Sequence, residues 1–369
     1  MASTPEHLRA VIAEFNLHGD YISAKSYGYG HINDTYSAKF SQGGRPLRYI
    51  VQRLNRNVFP QPAALMENVS RVCAHLRGRI RESGTLDATR RALTLIPTRA
   101  GGDWFVDDAG DFWRCFILIE DVTAYEVVES PALARTAAKS FGTFTRHLEG
   151  LPGGRLHEVI PGFHDTRRRF ETFEKTLAAD PLNRAAGARE EIAFTRERAA
   201  DCAVIVEALA RGEIPERVTH NDTKLNNILV DDFTQEGLCV IDLDTVMPGS
   251  ALYDFGDMVR SAAAAAKEDE TDLSRVACSP QYFEALATGY LDALGGTLNA
   301  REKDLLAFSG KLLTFECGMR FLTDHLDGDH YFKISRPGHN LERARNQFAM
   351  VRSIESQLSA FEKFVRALG

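Results

Sequence analysis

Apolar positions along the chain follow two patterns in turn. Leu8, Val11, Ile12 and Phe15 recur at helical spacing behind Thr4-Pro5, which reads as an N-cap followed by a proline in the first turn. From 21 to 55 the pattern is that of strands, over 21–26, 35–40 and 47–54, with a glycine-containing turn at 42–44. A helix is expected over about 62–77. Strands are expected over 93–96, 104–106 and 113–119, with a hairpin turn at 107–110. That makes about five strands and two helices before residue 120, an α+β arrangement.

At Glu120-Asp121-Val122-Thr123 the last apolar run breaks, and the chain is expected to hinge. Beyond it the pattern is almost wholly helical. Leu133, Ala137, Phe141, Phe144 and Leu148 mark a helix over 131–148, and further helices are expected over 163–177 and 190–209. Ile214-Pro215 then interrupts. Two short apolar runs, 228–230 and 238–241, flank a polar turn and read as a β-hairpin. A helix opening near Tyr253 and three more, near 281–293, 303–326 and 341–367, finish the chain. The expected organisation is a small N-terminal lobe of antiparallel sheet, 1–120, and a larger, mostly helical lobe, 121–369.

Composition narrows the class. The chain has 369 residues, enough for about two domains. A formal net charge of -7 argues against a nucleic-acid binder, which needs a basic face, but leaves a local phosphate site open. The six cysteines are scattered without a C-x-x-C pair, so buried thiols are expected rather than disulfides or zinc ligands. No apolar stretch approaches a membrane span and the first residues lack a signal peptide's pattern, so the expectation is a cytoplasmic protein with no membrane or protein partner.

The chemistry is concentrated around the hairpin. His220, Asp222 and Asn227 stand as H-x-D-x-x-x-x-N, the spacing of a kinase catalytic loop, and the second apolar run ends on Asp242. Phosphoryl transfer needs a carboxylate to orient the acceptor hydroxyl and take its proton, and Asp222 is placed for it. It also needs oxygen ligands for Mg²⁺ on the phosphates, which Asn227 and Asp242 would supply. Lys224 would put a point charge on the moving phosphate. Any one of these residues alone would read as an ordinary polar loop; together, and in register with two apolar runs, they indicate a kinase. Asp254 or Asp257 is expected either to brace this loop or to cap a helix.

Upstream, Gly28 and Gly30 mark either a phosphate-covering loop or a plain tight turn. His31 and Asn33 follow them and would face nucleotide or acceptor. Gln52 occupies the position where a phosphate-pairing lysine is expected, and the following helix, with Glu67 and Asn68, offers that lysine's partner no clear place. Backbone groups of Glu120 and Val122 suit an adenine edge, and equally a connector.

With these residues in place the sequence resembles the aminoglycoside and choline phosphotransferase superfamily, small-molecule relatives of protein kinases. Gly28-Tyr29-Gly30-His31-Ile32-Asn33, the 218–227 loop, Ile241-Asp242-Leu243-Asp244-Thr245, Met247-Pro248-Gly249-Ser250, Gly162-Phe163-His164-Asp165-Thr166 and Glu316-Cys317-Gly318-Met319-Arg320-Phe321 are similar to bacterial N-acetylhexosamine 1-kinases. The resemblance implies a protein-kinase-like two-lobed fold and ATP- and Mg²⁺-dependent phosphorylation of the anomeric hydroxyl of N-acetylglucosamine or N-acetylgalactosamine. It implies Asp222 as base, Asn227 and Asp242 as metal ligands, and a sugar near Asp244, Arg320 and Tyr331, with His31 and Asn33 approaching from the glycine loop. It also implies that glutamine at position 52 is tolerated. Asp244, two residues past Asp242, is expected on the same strand face, near the metal and free to accept a sugar hydroxyl. Arg320 reads either as a ligand group or as a helix-surface ion pair, and Tyr331 as a sugar contact or as packing.

Two other readings stand beside this one. A kinase of the same fold could act on choline, homoserine, an aminoglycoside or another hexose; choline would want an aromatic cage, and no Trp/Tyr cluster follows the catalytic loop. A non-catalytic nucleotide-binding protein is supported only by the missing lysine.

Overall fold

Thr4 accepts the amide of His7 and opens α1 (Pro5–Ala13), with Leu8, Val11 and Ile12 buried, in the computed structural model, which describes residues 4–28 and 32–368. Next come β1 (Asp20–Ser26), β2 (Asp34–Gln42), β3 (Arg45–Arg53), α2 (Pro62–Glu82), the short α3 (Ala88–Arg91), β4 (Phe105–Val106), β5 (Phe112–Ile117) and β6 (Val122–Thr123). The five-stranded sheet has the order β1-β2-β3-β5-β4, with antiparallel pairing throughout. Alternation along the strands gives the sheet two unlike faces. Tyr36, Ala38, Phe40, Tyr49, Val51, Trp113 and Cys115 pack on the apolar stripe of α1. The other face carries Thr35, Gln52 and Arg114, paired in register across β2, β3 and β5.

Residues 93–96 do not form the expected strand. Leu95 makes a single bridge to Phe116, and the amides of Ile96 and Ile117 bond to Cys115 and Thr94 carbonyls before Pro97 stops the pairing.

Helix dominates the rest: α4 (Pro131–His147), α5 (Thr166–Ala179), α6 (Arg189–Glu197), α7 (Val204–Ala210), then β7 (Arg217–Thr219), β8 (Ile228–Asp231), β9 (Gly237–Val240) and β10 (Met247–Gly249), then α8 (Ala251–Ala262), α9 (Pro280–Leu294), α10 (Ala300–Asp327) and α11 (His339–Ala367). The single helix expected over 190–209 is broken at Arg198. Its guanidinium bonds the Phe194 carbonyl at 3.0 Å and pairs with Glu355, and a 3₁₀ turn follows before α7. The hairpin forms as expected, β8 lying between β6 and β9, with the Asp231 carboxylate accepting the amides of Phe233 and Thr234 across the turn.

The chain forms two compact units. One comprises Met1–Thr123, Gly150–Ile160 and Leu229–Met247; the other comprises Ala124–Glu149, Pro161–Ile228 and Pro248–Gly369. In the first, the Asn68 side chain on α2 is wholly buried and satisfies the amide and carbonyl of His157 and the carbonyl of Val246, which ties the later segments to the helix. In the second, α8 is buried on nearly every face, so each of its carboxylates needs a partner. All six cysteines are reduced and five are buried; burial alone pushes the Cys278 thiol up to about 12, which makes it inert.

Candidate functional site

The partners of α8 are the loop 220–227 in the same unit. Asp254 accepts the amides of His220 at 3.0 Å and Asn221 at 2.7 Å. Asp257 accepts the Thr223 amide at 2.8 Å and pairs with Arg260. The Thr223 hydroxyl donates to the Asp254 carbonyl. Both aspartates therefore brace the loop, and helix capping falls to Ser250 instead. Asn221 sits at φ 64°, a left-handed conformation that persists because its surroundings over-determine it. A Cβ at Gly249 would lie 2.7 Å from the Asn221 side-chain oxygen, so only glycine fits opposite this turn.

Asp222 stands at the open end of the braced loop, with its side chain 24% exposed, and pairs with Lys224 at 2.8 Å. The Asn227 amide nitrogen donates to the Asp222 carbonyl at 2.8 Å and to its carboxylate at 3.3 Å. That commits the nitrogen end of Asn227 and points its oxygen end away from Asp222 as an acceptor. Burial would push the Asp222 carboxyl up, but the charge and the hydrogen bond of the Lys224 ammonium outweigh it and hold the carboxyl down to about 2. The same pairing raises Lys224. Because the carboxyl is depressed, its favourable pairing is fully present above the ordinary carboxylate range and is lost only as pH falls through about 2. A carbon-detected NMR titration should therefore find Asp222 ionised throughout pH 4–9, and Lys224→Met should move its midpoint upward. An unmoved midpoint would mean that Lys224 does not set the charge.

Farther along the same unit, Arg320 lies on α10 with its guanidinium 5.4, 5.6 and 5.5 Å from the ring centres of Phe163, Tyr331 and Phe332. The Tyr331 hydroxyl is 3.4 Å from Arg320, and its ring is 63% exposed. The loop carrying Tyr331 is anchored by Asp324, which accepts the amides of Tyr331 and Phe332. The structure thus brings Arg320 and Tyr331 together and gives the arginine aromatic neighbours in place of the surface ion pair weighed above.

In the other unit, Gly28 takes φ 75°, and nothing lies within 4 Å of where its Cβ would be. Gly30 and His31 lie outside the described residues. Gln52 is spanned by its neighbours: its nitrogen donates to Thr35 and its oxygen accepts from Arg114, both at 3.0 Å. Arg114 donates in turn to Asp244 at 2.5 Å, and Asn33 donates to the other Asp244 oxygen at 2.6 Å. Asp244 does not share a strand face with Asp242. The strand ends first, Asp242 adopts φ 58°, and Leu243–Thr245 forms a 3₁₀ turn, which leaves Asp242 exposed and buries Asp244. At the expected hinge, the Glu120 carboxylate pairs with Arg48 and its carbonyl accepts from Arg90 at 2.9 Å, while Val122 pairs with Asp231 in the three-stranded sheet.

The sequence reading missed Arg114. The signal was there, since an arginine inside the apolar run 112–117 must find a buried partner. It also gave no role to His164 and Glu316, both of which the structure buries.

Taken singly, the exposed Asp242 carboxylate in one unit and the Asn227 side-chain oxygen in the other are donor types that a hard ion such as Mg²⁺ accepts. Among the described residues no group of three or more His, Cys, Asp or Glu side chains is placed to hold a metal ion.

A five-stranded antiparallel sheet with a helical C-terminal part, a braced H-x-D-x-x-x-x-N loop and an aspartate after the next hairpin define a kinase-like phosphotransferase. The chain belongs to the phosphotransferase enzyme family, whose model matches residues 23–301. Its fold is similar to that of an aminoglycoside phosphotransferase from Alicyclobacillus acidocaldarius, with a TM-score of 0.59 at 13% identity over 100% of this chain and 98% of that one. Spectinomycin phosphotransferase, solved with ADP and spectinomycin, has a TM-score of 0.59 at 12% identity over 96% and 99%. Choline kinase from Cryptosporidium parvum has a TM-score of 0.55 at 14% identity over 97% of each chain.

Proposed function

We propose that the protein transfers the γ-phosphoryl group of ATP to the anomeric hydroxyl of an N-acetylhexosamine, giving the sugar 1-phosphate. The observation that carries the reading is the state of Asp222: an ionised, partly exposed carboxylate on a loop whose backbone is held by two buried aspartates. In the reaction the sugar O1 attacks the γ-phosphorus, the bond to the β-phosphate oxygen breaks, and the O1 proton passes to Asp222. A carboxylate this acidic is a weak base, which suits a loose transition state in which the hydroxyl proton leaves late. Lys224 holds the carboxylate in place and can meet the charge on the moving group.

Asn227 and Asp242 are the proposed Mg²⁺ ligands; the ion, when bound, neutralises charge on the phosphates. Nucleotide binding is supported by the family and by relatives solved with ADP and with GDP. Gly28 leaves backbone open to a phosphate, and Glu120 and Val122 remain the proposed adenine contacts.

A sugar acceptor is favoured by polar groups able to satisfy ring hydroxyls, Arg320 with Tyr331; Asn33 and Asp244 are kept as proposed sugar contacts on the strength of the resemblance. His31 is proposed beside Asn33 on the strength of the resemblance alone. Choline is disfavoured because the aromatic cluster of Phe163, Tyr331 and Phe332 is already filled by the Arg320 cation, which would repel a quaternary ammonium. The test is ³¹P NMR of protein incubated with ATP, Mg²⁺ and N-acetylglucosamine, N-acetylgalactosamine, glucose, galactose, choline or an aminoglycoside. An anomeric phosphate doublet is expected with the N-acetylated sugars. Its absence from every sugar, with phosphate appearing on another alcohol, would overturn the acceptor assignment.

A further inference from the structure

One buried group of the helical unit has no part in the chemistry above. His164, just before α5, is 7% exposed, and Glu316, inside α10, is 1% exposed. The His164 Nδ1 lies 2.8 Å from Glu316, whose other oxygen accepts the Thr166 hydroxyl at 2.5 Å. The His164 Nε2 lies 3.0 Å from the main-chain oxygen of Asn221. That oxygen can only accept, so His164 must carry a proton on Nε2.

Asn221 is the residue directly before Asp222, and its carbonyl belongs to the peptide plane that leads into Asp222. The nitrogen of that same plane, the Asp222 amide, donates to Nδ1 of His220 at 3.3 Å. Two imidazoles therefore grip one peptide plane from its two ends, His164 as donor and His220 as acceptor. The plane follows a residue held at φ 64°, where relaxation toward ordinary backbone angles would rotate it and swing the Asp222 side chain. Glu316 also lies one helical turn before Arg320 on α10, and its charge is felt there.

We propose that His164, oriented by Glu316, is a positioning residue for Asp222: it clamps the Asn221–Asp222 peptide plane so that the carboxylate meets the acceptor hydroxyl. This rests on Asp222 being the base.

The test uses two substitutions that each keep one end of the imidazole. In His164→Gln the amide nitrogen stands near the Nε2 position and can still donate to Asn221; in His164→Asn the side chain keeps a polar group near Nδ1 and no longer reaches Asn221. Turnover is followed with whichever acceptor alcohol the wild-type protein phosphorylates, or as ATP hydrolysis if none is found. His164→Asn should lose about 100-fold in kcat, the scale of an ångström-sized misplacement, with the KM for ATP within about twofold of wild type. His164→Gln should recover most of that loss. A purely structural role predicts instead that both variants lower the melting temperature and keep kcat, or lose kcat equally, and either result overturns the proposal.

Asp222→Asn is run alongside. If it stays active, the base assignment has failed; if it is dead while His164→Asn is active, only the clamp has failed. Should either histidine variant not fold, long-range ¹H–¹⁵N spectra of the wild-type imidazoles decide. A proton on the His164 Nε2 is required, and a bare Nε2 would overturn the clamp.

Discussion

Asp222→Asn is expected to lower kcat by about 10²–10⁴-fold, the usual worth of a positioned general base, while ATP still binds. The substitution keeps the shape of the side chain and removes its capacity to take a proton. It also releases Lys224, whose side chain is 46% exposed. An ion pair this open to water contributes only about 0–1 kcal/mol, so the variant should melt close to wild type and the loss should read as chemistry rather than unfolding. Single-turnover kinetics together with nucleotide titration calorimetry make the measurement. A variant with near-normal kcat would remove Asp222 from the mechanism, and one that no longer bound ATP would move it to the nucleotide.

The second large effect concerns stability. Arg114 and Asp244 are 2% and 3% exposed, and the Asp244 carboxylate accepts from the Arg114 guanidinium and from the neutral Asn33 amide. Arg114→Met should therefore cost about 3–5 kcal/mol, because it leaves a carboxylate buried without its counter-charge. It also removes the donor that Gln52 accepts from, so the row from Thr35 through Gln52 to Arg114 loses its far anchor. Adding Asp244→Asn should restore much of the loss, since the remaining Asn33 contact is neutral and can be met by a hydrogen bond. Denaturant melts of the two single variants and the double variant complete the cycle. If Arg114→Met unfolded within about 1 kcal/mol of wild type, the pair would be no more than a surface interaction.

The row around Arg114 also explains how a sheet with glutamine at position 52 is put together. A lysine there would bring a second cation beside Arg114 with one carboxylate to share. Glutamine can donate to Thr35 and accept from Arg114 at once, and so sits neutrally between them.

Elements whose side chains repeat with a local period were legible from the chain alone. The stripe of Leu8, Val11, Ile12 and Phe15 became the buried face of α1, the alternation from 21 to 55 became three strands, and the two apolar runs around the polar turn at 231–237 became a hairpin. Elements limited by one contact were not: residues 93–96 are strand-like in composition but meet β5 at a single bridge, and the helix from 189 breaks where Arg198 turns back on its own turn. The spacing of His220, Asp222 and Asn227 also survived intact, because a loop motif is read in sequence order. What no local pattern holds is the identity of distant partners. Asp244 meets Arg114 from 130 residues away, and Glu316 meets His164 from 152. Burial, by removing water, obliges such groups to find one another, yet which partner each finds depends on how the chain is folded, and only the tertiary structure decided that.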